Sequence, residues 1–265
     1  THSYSSAASD VYKRQGIPSF ILALIFHQIY CPIISPSNKY KRKLIINSNR
    51  NYYKKTIPKL IKSLLKYGIK KEDIILMIGG CNKKAAGEYL NIKTYFLDNN
   101  SIDYTAFIGI IELELTRSSD FFFYIHDTIE IYSKKFYNIF YMYPIKKGFS
   151  YSITKKLRGM NIGFYSFQAL EFNKEFILKM KNTNPSIEAL QKSKSLGVIV
   201  EDSIFNNYLT KKKTFFLFPN NPKSKIVKYL GSTRIMEKYV HMGFLKYKAN
   251  TKVSKTYLIT LEKPK

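Results

Sequence analysis

From residue 41 onward, short apolar blocks alternate with stretches whose apolar positions recur at helical spacing. The first block, Leu44-Ile45-Ile46-Asn47, predicts a strand and breaks into the polar turn Ser48-Asn49-Arg50-Asn51. Thr56-Ile57-Pro58-Lys59 opens a helix: Thr56 has the side chain of an N-cap, and a first-turn proline forfeits no hydrogen bond. Leu60, Ile61, Leu64 and Leu65 continue it, and Gly68 stops it. Asp73-Ile74-Ile75-Leu76-Met77-Ile78, ending in Gly79-Gly80, has the unbroken apolarity of a strand covered on both faces. Lys93-Thr94-Tyr95-Phe96-Leu97 predicts a third strand, which ends at Asp98-Asn99-Asn100. A helix follows over residues 103–115, and Phe121-Phe122-Phe123-Tyr124-Ile125 predicts a fourth strand. This rhythm implies βαβ units and an α/β fold with a mostly parallel central sheet flanked by helices.

The later half is less regular. Ser152-Ile153 and Ile162-Gly163-Phe164-Tyr165 read as strands, residues 170–181 as a helix, and residues 203–209 as another after Val198-Ile199-Val200-Glu201-Asp202. Phe215-Phe216-Leu217-Phe218 is strand-like, and a basic tail follows. With neither an internal repeat nor a long linker, residues 41–265 are expected to form a single domain. Residues 1–15 stand apart, because Asp10-Val11-Tyr12-Lys13-Arg14-Gln15 resembles a translated transposon end of the kind used as a sequencing adapter. They are expected to be an assembly artefact. Residues 16–40 form an apolar segment of uncertain origin. Its run at 17–34 could be a signal anchor, although Pro18, His27, Gln28 and Pro32 interrupt it.

Composition changes this picture in one respect. The net charge of +26 would ordinarily point to nucleic acid. The arginines, however, are only Arg14, Arg42, Arg50, Arg117, Arg158 and Arg234; the rest of the charge is lysine, in a chain crowded with Ile, Asn, Tyr and Phe. An AT-rich genome gives that mixture, and the planar guanidinium suited to phosphate and base recognition is scarce. Nucleic acid is therefore not the expected main partner. Two cysteines, Cys31 and Cys81, build neither a disulfide framework nor a metal cluster, and fit a reducing compartment.

In a parallel α/β sheet, ligands bind beyond the carboxyl ends of the strands. Polar residues collect at four such ends: residues 47–50, 79–82, 98–100 and 126–128. The fourth is the sharpest, since an aromatic strand delivers His126 and Asp127 at its tip, with Glu130 shortly after. A carboxylate so placed can hold a hard divalent cation beside a diphosphate. The competing expectation is that Asp127 caps a following helix and His126 is an ordinary turn residue.

Over residues 43–248 the chain resembles glycosyltransferases of the GT-A fold, in particular small ones from giant-virus and marine metagenomic sequences. The resemblance is carried by Ser48-Asn49-Arg50, Thr56-Ile57-Pro58-Lys59-Leu60-Ile61-Lys62-Ser63-Leu64, His126-Asp127-Thr128, Met160-Asn161-Ile162-Gly163-Phe164-Tyr165-Ser166 and Val200-Glu201-Asp202. Gly231-Ser232-Thr233-Arg234 and Tyr247-Lys248-Ala249-Asn250 add to it. The resemblance implies a nucleotide-sugar transferase acting from a UDP-sugar onto a glycan or protein acceptor, in the cytoplasm or, alternatively, anchored to a membrane. Asn47, Asn49, Arg50, Gly79, Gly80 and Asn100 would border the nucleotide, and Asn161 and Gly163 the acceptor. His126-Asp127-Thr128 stands where such enzymes carry Asp-x-Asp, so Asp127 is the one acid there. A Mn²⁺ or Mg²⁺ ion would be held by Asp127 and His126, with His241 as a further ligand. Glu201 or Asp202 would be the general base, with an N-cap as the alternative role for Asp202. Lys225, Lys228 and Arg234 would help to neutralise the diphosphate. From another functional class, a non-catalytic basic protein binding nucleic acid or a glycan remains open.

Overall fold

A computed structural model of the protein describes residues 40–153, 162–200, 202–217, 225–229 and 234–249. The expectations placed on residues 1–15 and 17–34, and on Asn161, Glu201, residues 231–233 and Asn250, lie outside the described residues.

The chain opens with β1 (Arg42–Asn49), α1 (Tyr53–Lys66) and β2 (Ile74–Gly79). The hairpin β3 (Ala85–Tyr89) and β4 (Ile92–Phe96) leads through a short turn to α2 (Thr105–Glu112), then to β5 (Phe121–His126) and β6 (Ile129–Ile131). Next come the helical turn α3 (Lys135–Tyr137), β7 (Ser150–Ser152), β8 (Gly163–Ser166), α4 (Phe167–Phe172) and α5 (Lys174–Lys179). The described chain closes with α6 (Ile187–Ile199), α7 (Ser203–Leu209), β9 (Thr214–Phe216), β10 (Lys225–Tyr229), β11 (Arg234–Tyr239) and β12 (Phe244–Ala249). The fold is α/β. An eight-stranded sheet runs β3-β4-β2-β1-β5-β8-β7-β9, and a second, four-stranded sheet runs β10-β11-β12-β6. β4, β2, β1 and β5 are mutually parallel, whereas β3 and β8 run against their neighbours.

The period-2 alternation of the central strands divides the interior into two cores. Leu44, Ile46, Leu76, Phe121 and Phe123 face α1 with Ile57, Leu60 and Leu64. Ile45, Ile75, Met77, Phe122 and Tyr124 face α2 with Phe107, Ile108 and Ile111. Every residue of β2 is buried, as its apolarity requires. Gly68, at φ 91°, ends α1 in the left-handed conformation that other residues avoid.

Several elements depart from the sequence expectation. α1 begins at Tyr53, so Thr56 is not its N-cap and Pro58 sits beyond the first turn. The helix expected over residues 170–181 is two short helices interrupted at Asn173, which sends Nδ2 to Ala169 O at 2.8 Å and to Ile204 O at 3.2 Å. Residues 187–199, where no helix was expected, form α6. The basic tail contains β10, β11 and β12, its lysines alternating with Ile, Met, Tyr and Phe along an antiparallel sheet. No helix of the described residues is long and apolar enough to cross a membrane.

Candidate functional site

From β1 the chain runs through α1 to β2 on one side, and later returns through α2 to β5 on the other. α1 and α2 cover opposite faces of the sheet, so the loops beyond β1 and β5 part from each other there. In register, Asn47 of β1 lies opposite His126 of β5, and Asn49 opposite Gly79 of β2. The polar strand ends therefore share one side of the sheet.

Asp127 follows β5 in a tight turn into β6, not at the start of a helix, so helix capping does not account for it. Its backbone N–H donates to Asn47 O at 3.1 Å. Its Oδ2 accepts from Ser48 Oγ at 2.6 Å and from Thr56 Oγ1 at 2.9 Å. Oδ1 accepts no hydrogen bond from the described residues. Burial raises the Asp127 pKa, and the two hydroxyls and His126 offset this only in part.

His126 points Nδ1 at Asp103 Oδ1, 3.3 Å away, and the two side chains keep 12% and 28% of their exposure. Nε2 is buried and has no hydrogen-bond partner. Burial first, then the charge of Lys246, lowers the His126 pKa, and Asp103 opposes the shift. Burial pushes Asp103 upward, but His126, Lys246 and Lys194 outweigh it and hold the carboxyl below its ordinary value. Lys246 is 6% exposed and comes from β12, where it pairs with Ile129. The neighbouring Tyr247 N–H donates to Thr128 O at 2.9 Å, which ties the second sheet to the β5 turn. Glu130 serves the same tie, accepting from Lys59 Nζ and Tyr247 Oη at 2.7 Å each.

At the β2 end, Gly80 adopts φ 74° and donates its N–H to Asn99 O at 2.9 Å. A Cβ there would lie 3.1 Å from Asn49 Nδ2 and 3.5 Å from Asn100 Nδ2, so two amides flank bare backbone. Asn49 Oδ1 also accepts from Asn51 N at 2.9 Å, and Arg50 Nη1 reaches Asn82 Oδ1 at 2.6 Å.

Two expected contacts are used internally. Asn47 spends Nδ2 on Ile102 O at 2.9 Å and Oδ1 on Ala106 N at 3.1 Å, fastening the start of α2. A Cβ on Gly79 would lie 2.5 Å from Thr105 Cγ2, so that glycine serves packing. At Gly163, where an approach to a sugar was expected, a Cβ would meet Tyr151 O at 2.3 Å and Phe205 Cζ at 2.8 Å. The close approach is the protein's own. His241 lies in the β11–β12 turn beside Lys135, at the end of β12 remote from Thr128, and is not brought to Asp127.

Asp202 precedes α7 at φ 65° and makes no side-chain cap bond, which leaves its expected N-cap role unfilled. Burial pushes its carboxyl up to about 7. Tyr104 Oη donates to Val200 O at 2.8 Å, which ties the chain just before Asp202 to the residue next to Asp103.

Among the described residues no three His, Cys, Asp or Glu side chains converge as a metal-binding group. A divalent cation at this turn would find Asp127 Oδ1 as the carboxylate oxygen that Ser48 and Thr56 leave open, and would need the rest of its shell from elsewhere. Sequence reasoning missed Asp103, Lys194 and Lys246. It also cast Thr56 as a cap, since nothing local links Thr56 to a carboxylate 71 residues away.

Comparison with family models, with curated proteins and with solved structures gives no match.

Proposed function

We propose that the chain is a GT-A type glycosyltransferase, moving a sugar from a nucleoside diphosphate donor to an acceptor hydroxyl. The observation that carries this reading is the Asp103–His126 pair beside Asp127 where β1 and β5 part. The neighbouring Asn49, Gly80 and Asn100 corner offers amide groups against open backbone, a surface suited to a base and ribose. A UDP-sugar is the favoured donor, and a glycan or protein the acceptor.

Asp127 is oriented by Ser48 and Thr56 and keeps Oδ1 for a Mn²⁺ or Mg²⁺ ion. A cation bound there would neutralise charge on the departing diphosphate. His126, oriented by Asp103, holds a buried Nε2 without a hydrogen-bond partner beside Asp127. Asp202, titrating at about 7, takes the acceptor proton as the acceptor oxygen bonds to the anomeric carbon and the bond to diphosphate breaks. Glu201, the other candidate base, lies outside the described residues.

The test is sugar release and transfer over a panel of nucleotide sugars, with and without Mn²⁺, in the wild type, Asp127→Asn and Asp202→Asn. Turnover that both substitutions leave intact would sink the assignment. Tight glycan binding with no turnover of any donor would favour the non-catalytic reading.

A further inference from the structure

At the sheet edge opposite the crevice, the strands begin rather than end, and lysine gathers there. Lys41 precedes β1, and Lys70 and Lys71 precede β2; all three are exposed. Lys146 and Lys147 lead into β7, and residues 211–213, three more exposed lysines, lead into β9. The same edge is shared because β1 pairs in parallel with β2 and β5, β8 runs against β5, and β7 runs against β8 and alongside β9. Ser150 N–H donates to Lys213 O at 2.9 Å, which places the last two lysine groups side by side. The acids at this edge include Glu72, Asp73, Asp120 and Glu171, the last of which accepts from Thr116 Oγ1 at 2.5 Å. Asp73 faces Lys43 and Tyr141, and Asp120 accepts from Lys41 N at 2.9 Å.

Apolar side chains stand among these lysines. Phe215, on edge strand β9, is 49% exposed and lies 5.3 Å from Phe149, over which Lys146 Nζ sits at 5.0 Å. Met142 is 48% exposed, between Phe140 and Tyr143, whose carbonyls bind Arg42 of β1. The described chain enters here at Tyr40, whose ring meets Phe121 at 5.6 Å.

We propose that this edge docks on an anionic lipid surface, with the crevice turned away from the bilayer. Lysine ammonium groups beside exposed Phe and Met suit a headgroup layer above acyl chains.

The experiment is co-flotation of the full chain with phosphatidylcholine vesicles, with and without phosphatidylserine. The wild type should float with the anionic vesicles and be released as salt rises toward about 0.5 M. Lys146→Glu/Lys147→Glu/Lys213→Glu should weaken that binding by about 100-fold or more. The matched reversal Lys83→Glu/Lys179→Glu/Lys192→Glu, away from this edge, should weaken it far less. Phe215→Ser should reduce it with the lysines intact. Binding that survives the edge reversal, or falls equally with the control, overturns the proposal. Salt-sensitive capture by single-stranded RNA, abolished by the edge reversal, with no vesicle binding, would also overturn it and assign the edge to nucleic acid.

Discussion

At the starting end of β1, Arg42 is 5% exposed, with Nη1 2.7 Å from Phe140 O, Nη2 2.9 Å from Tyr143 O and the guanidinium over the Phe164 ring. At the finishing ends of β1 and β5, the charged groups are held differently. Asp127 has one oxygen gripped by two hydroxyls and the other without a bond, and His126 has one nitrogen on Asp103 and the other bare. Both ends take charge out of water, which is costly unless partners compensate. At Arg42 both terminal nitrogens are bonded to carbonyls, and the residue fastens residues 140–143 to the first strand. At Asp127 and His126 they compensate on one side only. The contrast separates scaffold from site: half-satisfied groups, rigidly oriented, are what a ligand can complete.

The largest effect that would break this contrast is expected at Asp127. Asp127→Asn keeps an oxygen for Ser48 and Thr56 but removes the charge facing the crevice. Transfer should fall by about 100- to 1000-fold with little change in melting temperature. A large loss of stability instead would make Asp127 a second Arg42. At the other end, Arg42→Met should cost about 3 kcal/mol in urea melts, because it strands the Phe140 and Tyr143 carbonyls. Activity per folded molecule should be unchanged; a specific loss of turnover would show that the two ends are not separable.

Asp202 sharpens the comparison through pH. Its folded pKa, about 7, lies above the ordinary 3.8, so the folded state binds a proton that the unfolded chain releases. Stability from this group is thus full below about pH 4 and lost as pH rises through 7. Asp202→Asn should therefore stabilise the protein by about 2 kcal/mol more at pH 8 than at pH 5. Chemical denaturation at the two pH values measures this. The same substitution should abolish a rise in transfer rate through pH 7; an unaltered rate profile would remove Asp202 from the mechanism.

Much of the scaffold was legible because a buried parallel strand writes itself as an apolar run. Leu44 to Ile46, Ile74 to Ile78 and the Phe121 block all fall in the strands they predict. β3 was not legible: Ala85, Ala86, Gly87 and Glu88 are exposed, and an edge strand so open carries no alternation. Of the site, His126 and Asp127 could be read from one strand tip. Asp103 could not, since it stands in a helix-opening turn and gains meaning only from the His126 ring that the fold sets against it. Lys246 reaches the same cluster from a tail whose lysines read as surface charge. Local pattern reveals what an element buries, while long-range register decides which charges meet.

The smallest expected effect tests whether that long-range register orients Asp127. Ser48 and Thr56 both bond Oδ2, but Thr56 Oγ1 also donates to Tyr52 O at 3.1 Å, so its hydroxyl is shared with its own helix. Ser48 makes the shorter contact, 2.6 Å against 2.9 Å, from the strand that shares the crevice. Ser48→Ala should therefore cost about 1 kcal/mol of stability, and Thr56→Val somewhat less. Each hydroxyl also favours the ionised carboxylate, so its loss moves the Asp127 pKa further up, the direction burial already drives it. Transfer by Ser48→Ala should then fall at low pH and recover toward the wild-type rate as pH rises, with Asp127→Asn showing no such recovery. A loss equal at every pH would mean that Ser48 touches the donor itself rather than setting the carboxylate.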